Sequence, residues 1–151
     1  MKKVKDFITR DLTSVAEDTP LREVAQLLSW RGLSGVPVVN EENIVIGFIS
    51  EKDIITSIFP EQVKIENPDL IRIDNLSQIV KKLTSVGEAL VKDYMNKNII
   101  CASEDTPISD VAGIMLRRGI KRLPVLRDKK LVGVVDRANL VQVLIERGTL
   151  D

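Results

Sequence analysis

The sequence has no histidine, a single cysteine and only 3% aromatic residues among its 151. Each shortage removes a class of function. Without histidine there can be no Ser-His-Asp or Cys-His catalysis and no histidine-ligated zinc or iron. Acid–base work would fall to carboxylates, lysines and Tyr94, and no pair of these is marked out for it, so neither an enzyme nor a metal or cofactor is expected. The lone Cys101 rules out an internal disulfide framework and fits a reducing, cytoplasmic setting. It is read as a small buried hydrophobe with no chemistry of its own. Few aromatics leave little for stacking nucleic-acid bases. No apolar run approaches the length of about 18 residues that a membrane span needs, and the stretch Met1 to Asp11 lacks the apolar middle of a signal peptide. Charge of neither sign prevails: 22 basic residues face 22 acidic ones, so there is no general attraction to nucleic acid or to an anionic membrane.

What is present is a hydrophobic fraction of 44%, enough for a core in one domain or in two small repeated units. The chain is organised around Gly47-Phe48-Ile49-Ser50-Glu51-Lys52-Asp53, where a strand over 44–49 turns directly into a helix over about 51–59. Ser50 falls at the N-cap and Asp53 three residues on, which is the pattern of a capping box. The same geometry also has chemical potential. Free N–H groups, a positive dipole end, a hydroxyl and a carboxylate meet at the carboxyl end of a strand, where diols and phosphates dock.

Upstream, Glu17-Asp18-Thr19-Pro20 signals a helix start with Thr19 as N-cap and Pro20 in the first helical position. Leu21, Val24, Ala25 and Leu28 then fall at i, i+3, i+4 and i+7, one apolar helix face, and Gly32 stops the helix. Val36-Pro37-Val38-Val39 reads as a short buried strand, with Pro37 suggesting an edge or a strand start. The order is strand, helix, strand, strand, helix.

This order recurs after a shift of 87 residues. Val91-Lys92-Asp93-Tyr94-Met95 answers Val4-Lys5-Asp6-Phe7-Ile8, and Glu104-Asp105-Thr106-Pro107 repeats Glu17-Asp18-Thr19-Pro20 letter for letter. Ile108, Val111, Ala112 and Met115 reproduce the helix face. One residue is dropped in the following turn, so that Gly133-Val134-Val135-Asp136 answers Gly47-Phe48-Ile49-Ser50 at a shift of 86. Such agreement marks an internal duplication. It divides the chain into repeats at 4–59 and 91–146 with a connector at 60–90. In the connector, Leu76, Ile79, Val80, Leu83, Val86 and Leu90 could line one face of a helix.

The duplicated β-α-β-β-α unit resembles the CBS domain pair. The resemblance is carried by Asp-Thr-Pro before the first helix, by Gly-Val-Pro-Val-Val and Arg-Leu-Pro-Val-Leu on the middle strands, and by Gly-Phe-Ile-Ser-Glu-Lys-Asp after the last strand. It implies an α/β (α+β) fold of two tandem repeats packed sheet to sheet about a pseudo-twofold axis, with two clefts between them. In that family the clefts take adenine nucleotides or S-adenosylmethionine, and paired modules form flat homodimers through their helices. Leu140, Val141, Leu144 and Ile145 offer an apolar surface for such pairing.

Carried over by position, the resemblance implies one competent cleft. Ile49, Ser50 and Asp53 of the first repeat would face Ile100, Ile120, Lys121 and Arg122 of the second. Asp53 would take a ribose diol, and Lys121 and Arg122 would neutralise phosphate. The second cleft departs from the pattern, with Asp136 for Ser or Thr and Asn139 for Asp. The residues opposite, Thr13, Leu33, Ser34 and Gly35, bring no positive charge. That cleft should be empty, weak or suited to an uncharged nucleoside. The expectation is a stand-alone regulatory module that binds an adenine nucleotide and signals to a separate effector protein. Its rivals are an S-adenosylmethionine module, a ligand-free assembly adaptor and a single-strand nucleic-acid binder. The last rests on seven basic residues between Arg117 and Lys130, a stretch with no aromatic side chain in it.

Overall fold

Near-continuous burial along the first strand of each hairpin sets its environment, and the hairpin occurs twice. The computed structural model describes residues 2–58, 81 and 84–147. In the first half β1 (Val15–Ala16), α1 (Leu21–Arg31), β2 (Gly35–Val39), β3 (Val45–Ser50) and α2 (Glu51–Ile58) follow in order. The second half repeats them as β4 (Ala102–Ser103), α3 (Ile108–Arg118), β5 (Arg122–Arg127), β6 (Lys130–Asp136) and α4 (Arg137–Arg147). Each half makes a three-stranded sheet, β1-β2-β3 and β4-β5-β6, with the short first strand parallel and the hairpin antiparallel. This is the expected α+β architecture.

The helix faces fall where their periodicity put them, with one exception. Leu21, Val24 and Leu28 are buried on α1, and Ile108, Val111, Ala112 and Met115 on α3, whereas Ala25 is exposed. Gly32 and Gly119 close their helices at φ +63°, a conformation that costs a glycine nothing. The helix starts differ from expectation. Pro20, not Thr19, is the N-cap, with no side-chain cap at all. The first helical N–H, on Leu21, instead donates to the carbonyl of Ala89 at 2.9 Å, and Ile108 N–H donates to Lys2 at 3.0 Å. Backbone from the other half does the capping.

Those contacts belong to a reciprocal exchange. The lead of each repeat, Val4–Asp6 or Val91–Asp93, forms a single 3-10 turn on the opposite half. Val4 N–H donates to Thr106 and Lys5 N–H to Glu104; correspondingly, Val91 N–H donates to Thr19 and Lys92 N–H to Glu17. Val4 and Phe7 lie in the core of the second half, and Val91 in that of the first. Burying a valine fully contributes about 1.5–3 kcal/mol, so each core depends on its neighbour's lead. Every such contact has its counterpart in the other direction, the signature of a pseudo-twofold arrangement.

The exchange also explains two residue choices. Thr9 pairs with Val134 and Asn96 with Phe48, covering the outer edge of each hairpin. A Cβ on Gly133 would lie 2.5 Å from Ile8 Cγ1, and one on Gly47 would lie 2.5 Å from Met95 Sδ. The motif glycine therefore serves the crossing of the partner lead. Pro37 is in the central strand, not at an edge, and the same pairing permits it. Phe48 spends its N–H and carbonyl on Asn96, so the Pro37–Phe48 pair needs no N–H from proline. On its other side β1 pairs only from Val38 onward, so the missing donor is not required there either.

Most of the connector, including Leu76, Ile79, Val80 and Leu83, lies outside the described residues. Residues 84–88 are helical, and Val86 is buried against the first core. Among the described residues no helix is long and apolar enough to cross a membrane, and no group of acidic or thiol side chains is arranged to hold a metal ion. Cys101 is exposed just before β4, not buried as its type suggests, and partial desolvation pushes its thiol pKa up.

Candidate functional site

The strand–helix junction at Ser50 is built as the capping box requires. Ser50 N–H and Oγ–H both donate to Asp53 Oδ2 at 2.9 Å, and Asp53 N–H donates to Ser50 Oγ at 3.2 Å. Glu51 N–H finds the carbonyl of Ser34 at 2.9 Å, which pins the start of α2 to the chain entering β2. Among the described residues nothing donates to Asp53 Oδ1. The capping reading and the chemical one therefore coexist: one carboxylate oxygen fixes the helix start while the other remains an open acceptor.

Asp53 and Ser50 open onto a cleft of about 870 Å³ between the two halves, whose far wall includes Ile100, Ile120 and Lys121. Six of the seven residues expected there line it, including Arg122. The seventh, Ile49, is fully buried in the first core, so its side chain does not reach the cleft. Phe48, its neighbour on the alternating strand, lines the cleft instead. Arg118, Lys52, Asn96 and Asn98 also line it and were missed by sequence reading. Arg118 had a signal, since it answers Arg31 in the duplication; the two asparagines enter only through the exchanged lead.

The second junction is chemically different. Ala138 N–H donates to Asp136 Oδ1 at 2.9 Å, so Asp136 starts α4 as a short polar cap. Asn139 Nδ2 donates to Thr9 Oγ1 at 2.9 Å. Leu33, Ser34 and Asp136 line a second depression of about 960 Å³ that also takes in Arg137, Ile55 and Val141. Thr13 and Asn139 are not among its lining residues; Thr13 instead donates its hydroxyl and N–H to Asp11 Oδ1.

The charge of this second region also departs from expectation. Arg122 is 7% exposed. Nη1 donates to Asp136 Oδ2 at 3.3 Å and Nη2 to Asp11 Oδ2 at 3.4 Å. A cation therefore stands where none was expected, and Asp136 is partly neutralised. Asp11, with Arg31 also 3.7 Å away, has its carboxyl held below the usual range. The Thr13 hydroxyl is the main cause, burial opposes it, and the two arginines add to it. In the first cleft, Lys52, Arg118 and Lys121 line the wall with Arg122.

The basic stretch is not one surface. Arg122 is buried, Arg127 is bound to Glu104 at 2.6 Å, and Arg117 Nε donates to Gly113 O at 3.2 Å. Arg118 and Lys121 face the first cleft.

Two three-stranded sheets, each completed by the other's lead and enclosing clefts at their strand–helix junctions, define a tandem-repeat module. The chain belongs to the CBS domain family, whose profile matches residues 4–59 and 91–146. It is 33% identical over 153 aligned positions to the uncharacterized protein MJ1426 of Methanocaldococcus jannaschii, covering 94% of this chain and 90% of that one. A further relative from that organism, MJ1225, is 25% identical, and the match spans 42% of its length. Among solved structures, CBSX2 of Arabidopsis thaliana in complex with AMP superposes with a TM-score of 0.73 at 23% identity, over 97% of this chain and 98% of that one. The CBS domain pair of protein MJ0100, in complex with 5′-methylthioadenosine and S-adenosyl-L-methionine, gives 0.69 at 22%, over 97% and 98%. At these identities the two structures establish the shared fold.

Proposed function

We propose that this chain is a regulatory, non-catalytic module that binds one adenine nucleotide in the cleft of Ser50 and Asp53 and passes its occupancy to an effector protein. The observation that carries the reading is the open Asp53 Oδ1 facing, across the cleft, the exposed Lys121 of the other half. A carboxylate oxygen accepts from vicinal ribose hydroxyls, and a lysine opposite it complements phosphate. Ile100 and Ile120 offer the apolar contact that a base needs. AMP bound to CBSX2 and S-adenosyl-L-methionine bound to MJ0100 support an adenosyl ligand class. Because the cleft is walled by both halves, a bound ligand favours the arrangement of halves that it contacts best, and a partner reads that arrangement.

Among the described residues, every exposed large apolar side chain but Leu12 (Trp30, Ile55, Leu116, Val141 and Ile145) lies on a helix, which supports pairing of two copies through their helix faces. Thermal unfolding with AMP, ADP, ATP, S-adenosylmethionine or a short single-stranded oligonucleotide tests the ligand class. A true ligand at 100 times its dissociation constant adds about 2.7 kcal/mol. Stabilisation by the oligonucleotide alone, or by none of the panel, defeats the proposal.

A further inference from the structure

Arg122 lines both clefts, and its side chain is only 6% exposed. Its contacts to Asp136 and Asp11, at 3.3 and 3.4 Å, are longer than the roughly 2.7–2.9 Å of a good charge-assisted N–H···O bond. Neither carboxylate takes the guanidinium in a two-pronged grip. Nε, wholly buried, has no acceptor among the described residues. A guanidinium carries five N–H donors, and one buried with donors unspent is short of an acceptor. The arrangement is one-sided. Arg122 faces Asp136 across its hairpin where Gly35 faces Ser50, and Asn98 answers Asp11, so the equivalent trio carries no charge.

We propose that Arg122 couples the two clefts: the phosphate of a ligand in the first cleft supplies the missing acceptor and draws the guanidinium off Asp11 and Asp136. Asp136, which lines the second depression, then loses its paired cation and disfavours an anionic occupant there, with Lys121 and Arg137 of the same lining offsetting part of its charge. The inference rests on the nucleotide reading above. The chemistry is competition for one cation. A planar guanidinium matches a phosphate through two parallel N–H···O bonds, a better fit than either present contact. Arg31, 3.7 Å from Asp11, offsets part of the released charge but is itself exposed. Linkage makes the effect reciprocal, so an anion in the second cleft weakens binding in the first by the same factor.

AMP and adenosine titrated calorimetrically into the wild-type chain and into the double variant Asp11→Asn, Asp136→Asn test this. Freed of its internal competitors, Arg122 should raise AMP affinity by about tenfold or more, a gain of about 1.4 kcal/mol, and leave adenosine unchanged. An unaltered ratio of AMP to adenosine affinity overturns the coupling while leaving the nucleotide reading intact. Absence of binding by both ligands to both proteins overturns the nucleotide reading and the coupling with it. Removing both partners of a buried cation can unfold a chain, so the wild-type protein provides a second measurement. In NMR with ¹⁵N-labelled arginine, the Arg122 Nε–H signal should shift and gain exchange protection with AMP and not with adenosine. A signal unmoved by saturating AMP overturns the coupling.

Discussion

Arg122 faces Asp136 across β5 and β6 at the register where Gly35 faces Ser50 across β2 and β3. One duplicated position thus holds a part-buried ion pair in one half and a glycine facing a serine in the other. The partner strands explain how both are accommodated. A Cβ on Gly35 would lie 2.5 Å from the Phe48 ring, whereas the residue answering Phe48 is the smaller Val134. The two clefts therefore differ in space as well as in charge.

Asp53→Ala should weaken AMP and adenosine alike, by tenfold or more, because the acceptor it removes serves the sugar. It should also lower stability by about 0.5–2 kcal/mol, the usual cost of a lost helix cap. Calorimetry and denaturant titration on the same sample separate the two effects. Undiminished binding would rule out Asp53 as the diol acceptor.

Lys121→Ala should discriminate between those ligands. Charge-assisted contacts contribute about 1.5–3 kcal/mol, so AMP should lose tenfold or more while adenosine is unaffected. Equal losses for the two would place Lys121 away from the phosphate.

Gly133→Ala should destabilise the chain by about 1–3 kcal/mol, since the added Cβ meets Ile8 at 2.5 Å and the carbonyl of Thr9 at 2.7 Å. Gly87→Ala is the control: it lies in the helical residues 84–88, and its nearest neighbour is Arg22 Cβ at 3.7 Å. There alanine should stabilise by up to about 1 kcal/mol. Thermal melting measures both, and a Gly133→Ala protein as stable as wild type would deny the tight crossing of the lead.

Val141→Glu with Ile145→Glu should shift the chain from dimer to the 16.9 kDa monomer. Both side chains are exposed, at 46% and 77%, so the folded monomer should tolerate the change. Light scattering coupled to size exclusion reads the mass directly. A wild-type chain that is monomeric at micromolar concentration would remove the basis for the experiment and the proposed pairing together.

Acid should act partly through Asp11. Its pKa is lowered in the folded state, chiefly by the Thr13 hydroxyl. Such a group contributes stability that is complete above the unfolded value of about 3.9 and is lost as pH falls through the folded value. Asp11→Asn should therefore be less stable than wild type near neutrality and lose less on acidification below about pH 4. Denaturant midpoints compared between pH 3 and pH 7 test the sign, and parallel acid limbs would contradict it.

Local and periodic features were legible in the sequence. The 87-residue shift gave the two-fold repetition, the i, i+3, i+4, i+7 spacing gave the buried faces of α1 and α3, and Ser50 with Asp53 gave the capping box. The helix faces and the capping box depend on residues within about one or two helical turns of each other, where chain geometry leaves few alternatives, and the repetition needs only a comparison of the chain with itself. The tertiary structure decided which half each lead would complete, why Pro37 is tolerated in a central strand, and where the Arg122 guanidinium points. Arg122 and Asp11 are separated by 111 positions. A flexible side chain at a strand start can turn toward either cleft, and only the carboxylates that folding brings beside it select one.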